Sequence, residues 1–350
     1  MWALVNGLIT IGMLLIVPLG LRLLMSPVAG GAGRLLSLWP VAAIAGVASL
    51  WLPRGAVATG FAAIYALATI ALAAIAVALA VRGRTGILSG DGRIRIGVRT
   101  RPELEWRDRL AMGTALVSPA IAAGALVAER AGYRLFGFEL GVLTLTVAHF
   151  HFAGFAAALI AGLHRRLAPG RLADTAVLAV PAGTLLVLAG YFTSEFVELA
   201  GAMVLTAGMW AMGWSTWRHA RRRVADRLAA TLFATSAVVL AASMVLAVSW
   251  ALGEATGLPH PSLAWMAATH GVANALGFAV CGLAAYTRLQ PSPSPGDAVG
   301  QIHSPADSGI WRGVARRGTW PTSTWRPRRS GRELLHGGES RPGSKATART

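Results

Sequence analysis

Residues 146–163 read TVAHFHFAGFAAALIAGL, and this stretch decides the fold. Two histidines, His149 and His151, interrupt a run otherwise apolar enough for a lipid-spanning helix. A hydrocarbon core about 30 Å thick needs roughly 20 apolar residues per helix. Working outward from this run, nine segments meet that requirement, at about 2–24, 35–52, 56–81, 110–129, 140–163, 172–193, 195–217, 228–252 and 262–286. The composition agrees, because 13% charged residues is half of the roughly one quarter found in soluble domains. The expected fold is therefore all-α, a polytopic transmembrane helical bundle of about nine helices over residues 1–289 with the lipid bilayer as its solvent. The first run lacks a basic leader and exceeds the 7–15 residues of a signal-peptide core, so it reads as a retained helix.

Arginine supplies almost all of the formal net charge of +17, and its placement carries topology. Loops one, three, five and seven hold eighteen arginines, while loops two, four, six and eight hold only Arg54, Arg130 and Arg134. Short cytoplasmic loops retain positive charge. The expectation is an amino terminus outside and a cytoplasmic carboxyl terminus in a multi-pass plasma-membrane protein. Arginine clustered between apolar runs points to membrane topology and not to nucleic acid. Within the third loop, RIRIGVR at 93–99 reads as a solvated basic loop, with a short strand or headgroup contact as the other readings. Residues 290–350, rich in proline, serine, glycine and arginine, are expected to form a disordered cytoplasmic tail.

Ionisable groups inside a span are costly and face a bundle interior or a wet cavity. Counted from Leu140 at a rise of 1.5 Å per residue, His149 and His151 lie roughly 14 to 17 Å deep, near mid-bilayer. In the ninth segment, ATHGVANALGF places His270 about 12 Å in, with Asn274 four residues on and on the same face. Residues two apart are about 200° apart on a helix, so at most one of His149 and His151 faces His270. SEFVELAG opens the seventh segment. There Glu195 reads as a solvated interfacial residue and the deeper Glu198 as an acidic mouth above the histidines. Glu139, Glu254 and His260 fall in or beside loops, where exposure accounts for them. Helix-packing glue is the plainer reading of the histidines, since glycines beside them permit close helix approach.

VAHFHFAGF at 147–155 together with THGVANALGF at 269–278 resembles the paired signatures of the YndJ-like family of bacterial membrane proteins. The resemblance covers about residues 100–290. It implies a polytopic bundle in the bacterial inner membrane, singles out His149, His151, His270 and Asn274, and carries a transporter label without an established activity. A shorter likeness, VAHFH at 147–151, is similar to the haem-copper oxidase helix whose two histidines ligate two different haems. The oxidase's histidine–proline–glutamate motif and adjacent histidine pair are absent, which argues against an oxygen-reducing centre.

Three functional classes follow. The leading one is a transporter of a small solute or ion, with Glu198 as mouth and His149, His151, His270 and Asn274 binding substrate or relaying protons. No cofactor is expected in that case. The second is a haem- or metal-binding redox protein using His149 or His151 with His270 as ligands. The third is a non-catalytic scaffold or sensor engaging partners through its basic tail. Cys281 is the sole cysteine, so a cysteine-built metal site is disfavoured. No phosphate-binding G-x-x-x-x-G-K-[ST] loop occurs, and the only lysine is Lys345 in the tail. Direct ATP hydrolysis is disfavoured on that ground, and an enzymatic role is the less favoured one.

Overall fold

A computed structural model describes residues 1–24, 31–82 and 105–290 of the chain. The basic third loop with its RIRIGVR segment and the carboxyl-terminal tail lie outside the described residues. Among the described residues there are nine helices and no strand. They are α1 (Trp2–Leu24), α2 (Gly31–Trp51), α3 (Ala56–Arg82), α4 (Trp106–Arg130), α5 (Leu140–Leu167), α6 (Arg171–Thr193), α7 (Glu195–Arg218), α8 (Arg227–Thr256) and α9 (Leu263–Arg288). Eight are long and apolar enough to cross a bilayer, and α2 contributes a shorter apolar stretch over Leu36–Trp51. Each expected segment corresponds to one helix. The boundaries move by a few residues because capping, not hydropathy, sets them. Ser194, Asp226 and Ser262 accept backbone N–H bonds at the starts of α7, α8 and α9, and Gly257 ends α8 in the left-handed conformation.

The outward faces are apolar. Leu38, Val41, Ile44, Leu67, Ile70, Leu185, Val238 and Val245 are all more than half exposed. Water would not tolerate so continuous an apolar exterior, whereas acyl chains do. The protein is a multi-pass integral membrane protein. α5, carrying His149 and His151, is the most enclosed helix and packs on α4, α6 and α1, and α1 in turn touches α2 and α9.

Glycines determine the closest approaches. On α6, Gly183 and Gly190 abut the backbones of Leu205 and Glu198, and on α7, Gly201 and Gly208 abut those of Val187 and Val180. A Cβ on Gly201 would sit 2.4 Å from the Val187 nitrogen, so this seam admits nothing larger than hydrogen. The glycines near the histidines serve different neighbours. Gly154 and Gly162 admit Ser118 and Ala111 of α4, Gly271 meets Leu8 of α1, and Gly277 meets Val239 of α8.

Two buried ionic clusters mark opposite ends of the bundle. Arg130, assigned to a loop by its place in the sequence, belongs to the last turn of α4 and is buried. It pairs with Glu129 and donates to the Ser49 and Leu50 carbonyls at the end of α2, while Arg54 Nε donates to Glu129 at 2.8 Å. At the other end Arg165, also buried, bonds Glu105, Asp108 and Asp174, tying α4, α5 and α6 together.

Candidate functional site

Three helices depart from regular α geometry near their middles. Wide π turns occupy Gly12–Ile16 of α1, Phe150–Ala156 of α5, and Ala267–Gly271 and Ala273–Val280 of α9. The turns at 12–16, 150–156 and 273–280 pack on one another. Such turns shift backbone bonding to the fifth residue back and recur at functional sites.

Beside this junction lies a cavity of about 230 Å³. Its walls come from α1, α5, α6, α7, α8 and α9, and its lining runs from Leu263, Trp250, Tyr191 and Glu198 near the helix ends to Asn274 and Phe278. At 1.5 Å per residue His149 lies about 14 Å along α5 and His270 about 10 Å along α9. His149, His270, Asn274 and Glu198 all line it. The fifth and ninth spans are in contact, and His149 and His270 are close enough to interact electrostatically.

The polar side chains divide into held and free groups. His270 Nδ1 is 2.9 Å from the Ser243 carbonyl, which assigns the proton to Nδ1 and leaves on Nε2 a lone pair that Asn274 Nδ2 approaches at 3.3 Å. Asn274 donates to the His270 carbonyl at 2.9 Å and accepts from Ser243 Oγ at 3.0 Å. The Ser243–Asn274–His270 unit is therefore rigidly oriented by α8. His149 is open to the cavity, and among the described residues nothing is hydrogen-bonded to its ring. Glu198 is half-buried at the other end of the lining, and among the described residues no arginine or histidine is ion-paired with it.

His151 lies on the opposite side of α5, as the angle between residues two apart requires. It is fully buried, with Nδ1 2.7 Å from the Val147 carbonyl and Nε2 2.6 Å from the Tyr65 hydroxyl. Trp39 stacks edge-on to Tyr65 and donates to the Met13 carbonyl, completing a sealed network among α1, α2, α3 and α5. Both ring nitrogens of His151 are thus occupied, which removes it from the cavity and from any ligand set with His270.

Sequence reasoning missed Tyr65, Ser243, Tyr191 and Trp250, which carry no charge and look like ordinary span residues. It also missed His164, placed at a helix end by its arginine neighbours. That residue is fully buried, 3.3 Å from the Thr216 hydroxyl through Nδ1, and among the described residues Nε2 has no partner. His260 Nε2 lies 3.2 Å from the Glu254 carboxylate beside Trp250, and Glu195 and Glu254 both act electrostatically on Glu198.

Among the described residues no group of three histidine, cysteine or acidic side chains is placed to hold a metal ion. The cavity is also smaller than the roughly 300–1,000 Å³ of sites for drug-sized ligands, a poor fit for a haem between His149 and His270.

Helices of spanning length, an apolar exterior and an internal cavity define a polytopic helical membrane protein. The chain belongs to the YndJ-like protein family, with which residues 7–278 match. The matched region begins well before residue 100 and takes in α1 to α3, the helices that hold His151 and one cavity wall. No curated protein and no solved structure matches the chain.

Proposed function

We propose that the protein transports a small solute or ion, with the cavity between α5 and α9 as its binding site. The observation that carries this reading is an imidazole near mid-span, His149, open to the cavity and without a hydrogen-bond partner among the described residues. An unsatisfied polar group in hydrocarbon costs several kcal/mol, so a side chain held this way has a solute or water as its partner. The cavity occupies one half of the bundle only. The other half is filled by Phe155, Phe233 and Leu283 and tied by Arg165 to its three carboxylates, the asymmetry expected of a carrier open to one side at a time. In this reading Glu198 is the mouth, His149 and His270 receive the solute or a proton, and the Arg165 cluster is the opposite gate. By the arginine distribution the cavity faces outside and the gate faces the cytoplasm.

The test is uptake into proteoliposomes of small amines, carboxylates, neutral polyols and alkali cations under imposed proton or sodium gradients, comparing wild type with His149→Ala. Gradient-dependent uptake of at least one class, lost in the variant while the protein stays folded, is expected. Uptake of none, or uptake indifferent to His149, would overturn the proposal.

A further inference from the structure

The electrostatics of the cavity end run against the rest of the molecule. The chain as a whole carries a formal +17, yet among the described residues Glu198 is the only aspartate, glutamate, lysine or arginine lining the cavity. The same end of the bundle holds Glu129, Glu139, Glu195 and Glu254 as well. Its three arginines are already engaged: Arg54 and Arg130 on Glu129, and Arg134 on Glu139. Among the described residues Glu254 has His260 as its partner, and Glu195 and Glu198 have no basic partner and face each other and Glu254. Among the described residues, the five carboxylates at this end outnumber its fixed cations, three arginines and the terminal amine.

A carboxylate at the rim of a low-dielectric cleft focuses its field along the opening and concentrates cations there. Inside, the walls offer the aromatic side chains of Phe152, Tyr191, Trp250 and Phe278. Aromatic faces attract a cationic head, and apolar walls accept its alkyl body. His149, read as neutral, presents a lone pair that accepts hydrogen bonds, while the Asn274 amide nitrogen is turned onto the His270 ring and carbonyl. Among the described residues no arginine or lysine lines the cavity to receive an anion.

We infer that the cavity selects small organic cations, a positively charged head on a short apolar body, with Glu198 as the discriminating group. This rests on the reading of the cavity as a solute site. It adds the charge class of the cargo.

The test uses three probes of one shape and different charge: choline, its uncharged carbon isostere neohexyl alcohol, and the anionic isostere tert-butylacetate. Binding to purified full-length protein in detergent is measured by calorimetry, with competition against a tertiary amine as a second readout. Choline should bind at least about tenfold more tightly than neohexyl alcohol, and tert-butylacetate more weakly than either. Glu198→Gln, which keeps the side chain's shape, should bring choline to the level of the neutral probe while the alcohol's affinity stays the same. Equal affinity for choline and its neutral isostere, preference for the anion, absence of binding by all three, or discrimination unaffected by Glu198→Gln would each overturn the inference. Charge-selective binding without uptake of choline into proteoliposomes would leave the inference standing and remove the transport reading. Uptake of an anionic or neutral solute through His149 would do the reverse.

Discussion

Tyr65 donates its hydroxyl proton to His151 Nε2 across 2.6 Å inside a fully buried network, while His149, two residues earlier, faces a cavity with no such donor. The pair separates a structural histidine from a candidate functional one. Tyr65→Phe leaves a buried imidazole nitrogen without its partner and should cost about 1–3 kcal/mol. His149→Ala removes no protein hydrogen bond and should leave stability close to wild type while abolishing binding or uptake. Denaturation in mixed detergent micelles measures the first effect, and the proteoliposome assay the second. Equal stability loss in both variants would contradict the division.

Gly201 allows α7 to lie against the α6 backbone. Its Cβ position falls 2.4 Å from the Val187 nitrogen, so Gly201→Ala forces the helices apart. Overpacking of this kind costs about 1–3 kcal/mol. A lowered melting temperature should result. Because Leu205 and Glu198 of α7 and Val187 of α6 line the cavity, weakened solute binding should accompany it. A variant as stable as wild type would show that the seam yields easily.

Arg165→Met should be among the most damaging single changes. It leaves Asp108, whose side chain is only 7% exposed, with only the longer 3.5 Å contact to Arg166, and removes the tie among α4, α5 and α6. Breaking a buried pair by removing one partner costs about 3–5 kcal/mol. Most of that cost belongs to Asp108, since Glu105 and Asp174 keep partial access to solvent. Restoration of stability by adding Asp108→Asn to Arg165→Met would confirm the cause.

Acid should loosen the joint between α8 and the end of α9. Arg288 Nε donates to Asp226 Oδ2 at 2.6 Å and, with the backbone N–H bonds of the α8 cap, holds the Asp226 carboxyl below the ordinary carboxylate range. A depressed folded value contributes stability above the unfolded value of about 3.9 and loses it as pH falls through the folded one. Melting curves of wild type should therefore fall faster than those of Asp226→Asn below about pH 4. Parallel curves would exclude the contribution.

Orientation is open to direct labelling. In a Cys281→Ala background, a cysteine at Thr256, in the last turn of α8 at the cavity end, should react with an impermeant thiol reagent in intact cells. One at Gly92 in the basic third loop should be protected until the membrane is opened. Reversal of the two patterns would place the cavity on the cytoplasmic side.

The sequence by itself determined the number of helices, the positions of His149, His270 and Asn274 along them, and the impossibility of both α5 histidines facing one partner. These follow from hydropathy and helical rise and twist, which are properties of each segment alone. Only the tertiary structure decided that Tyr65 occupies His151, that Ser243 orients Asn274 and His270, and that Arg130 and Arg165 are buried hubs and not loop charges. The physical reason is the solvent. In a bilayer both the lipid-facing and the buried face of a helix are apolar, so sequence carries little contrast from which to choose a helix's neighbours. That choice rests on fit, on which glycine admits which backbone and where three π turns meet, and fit exists only once the helices are side by side.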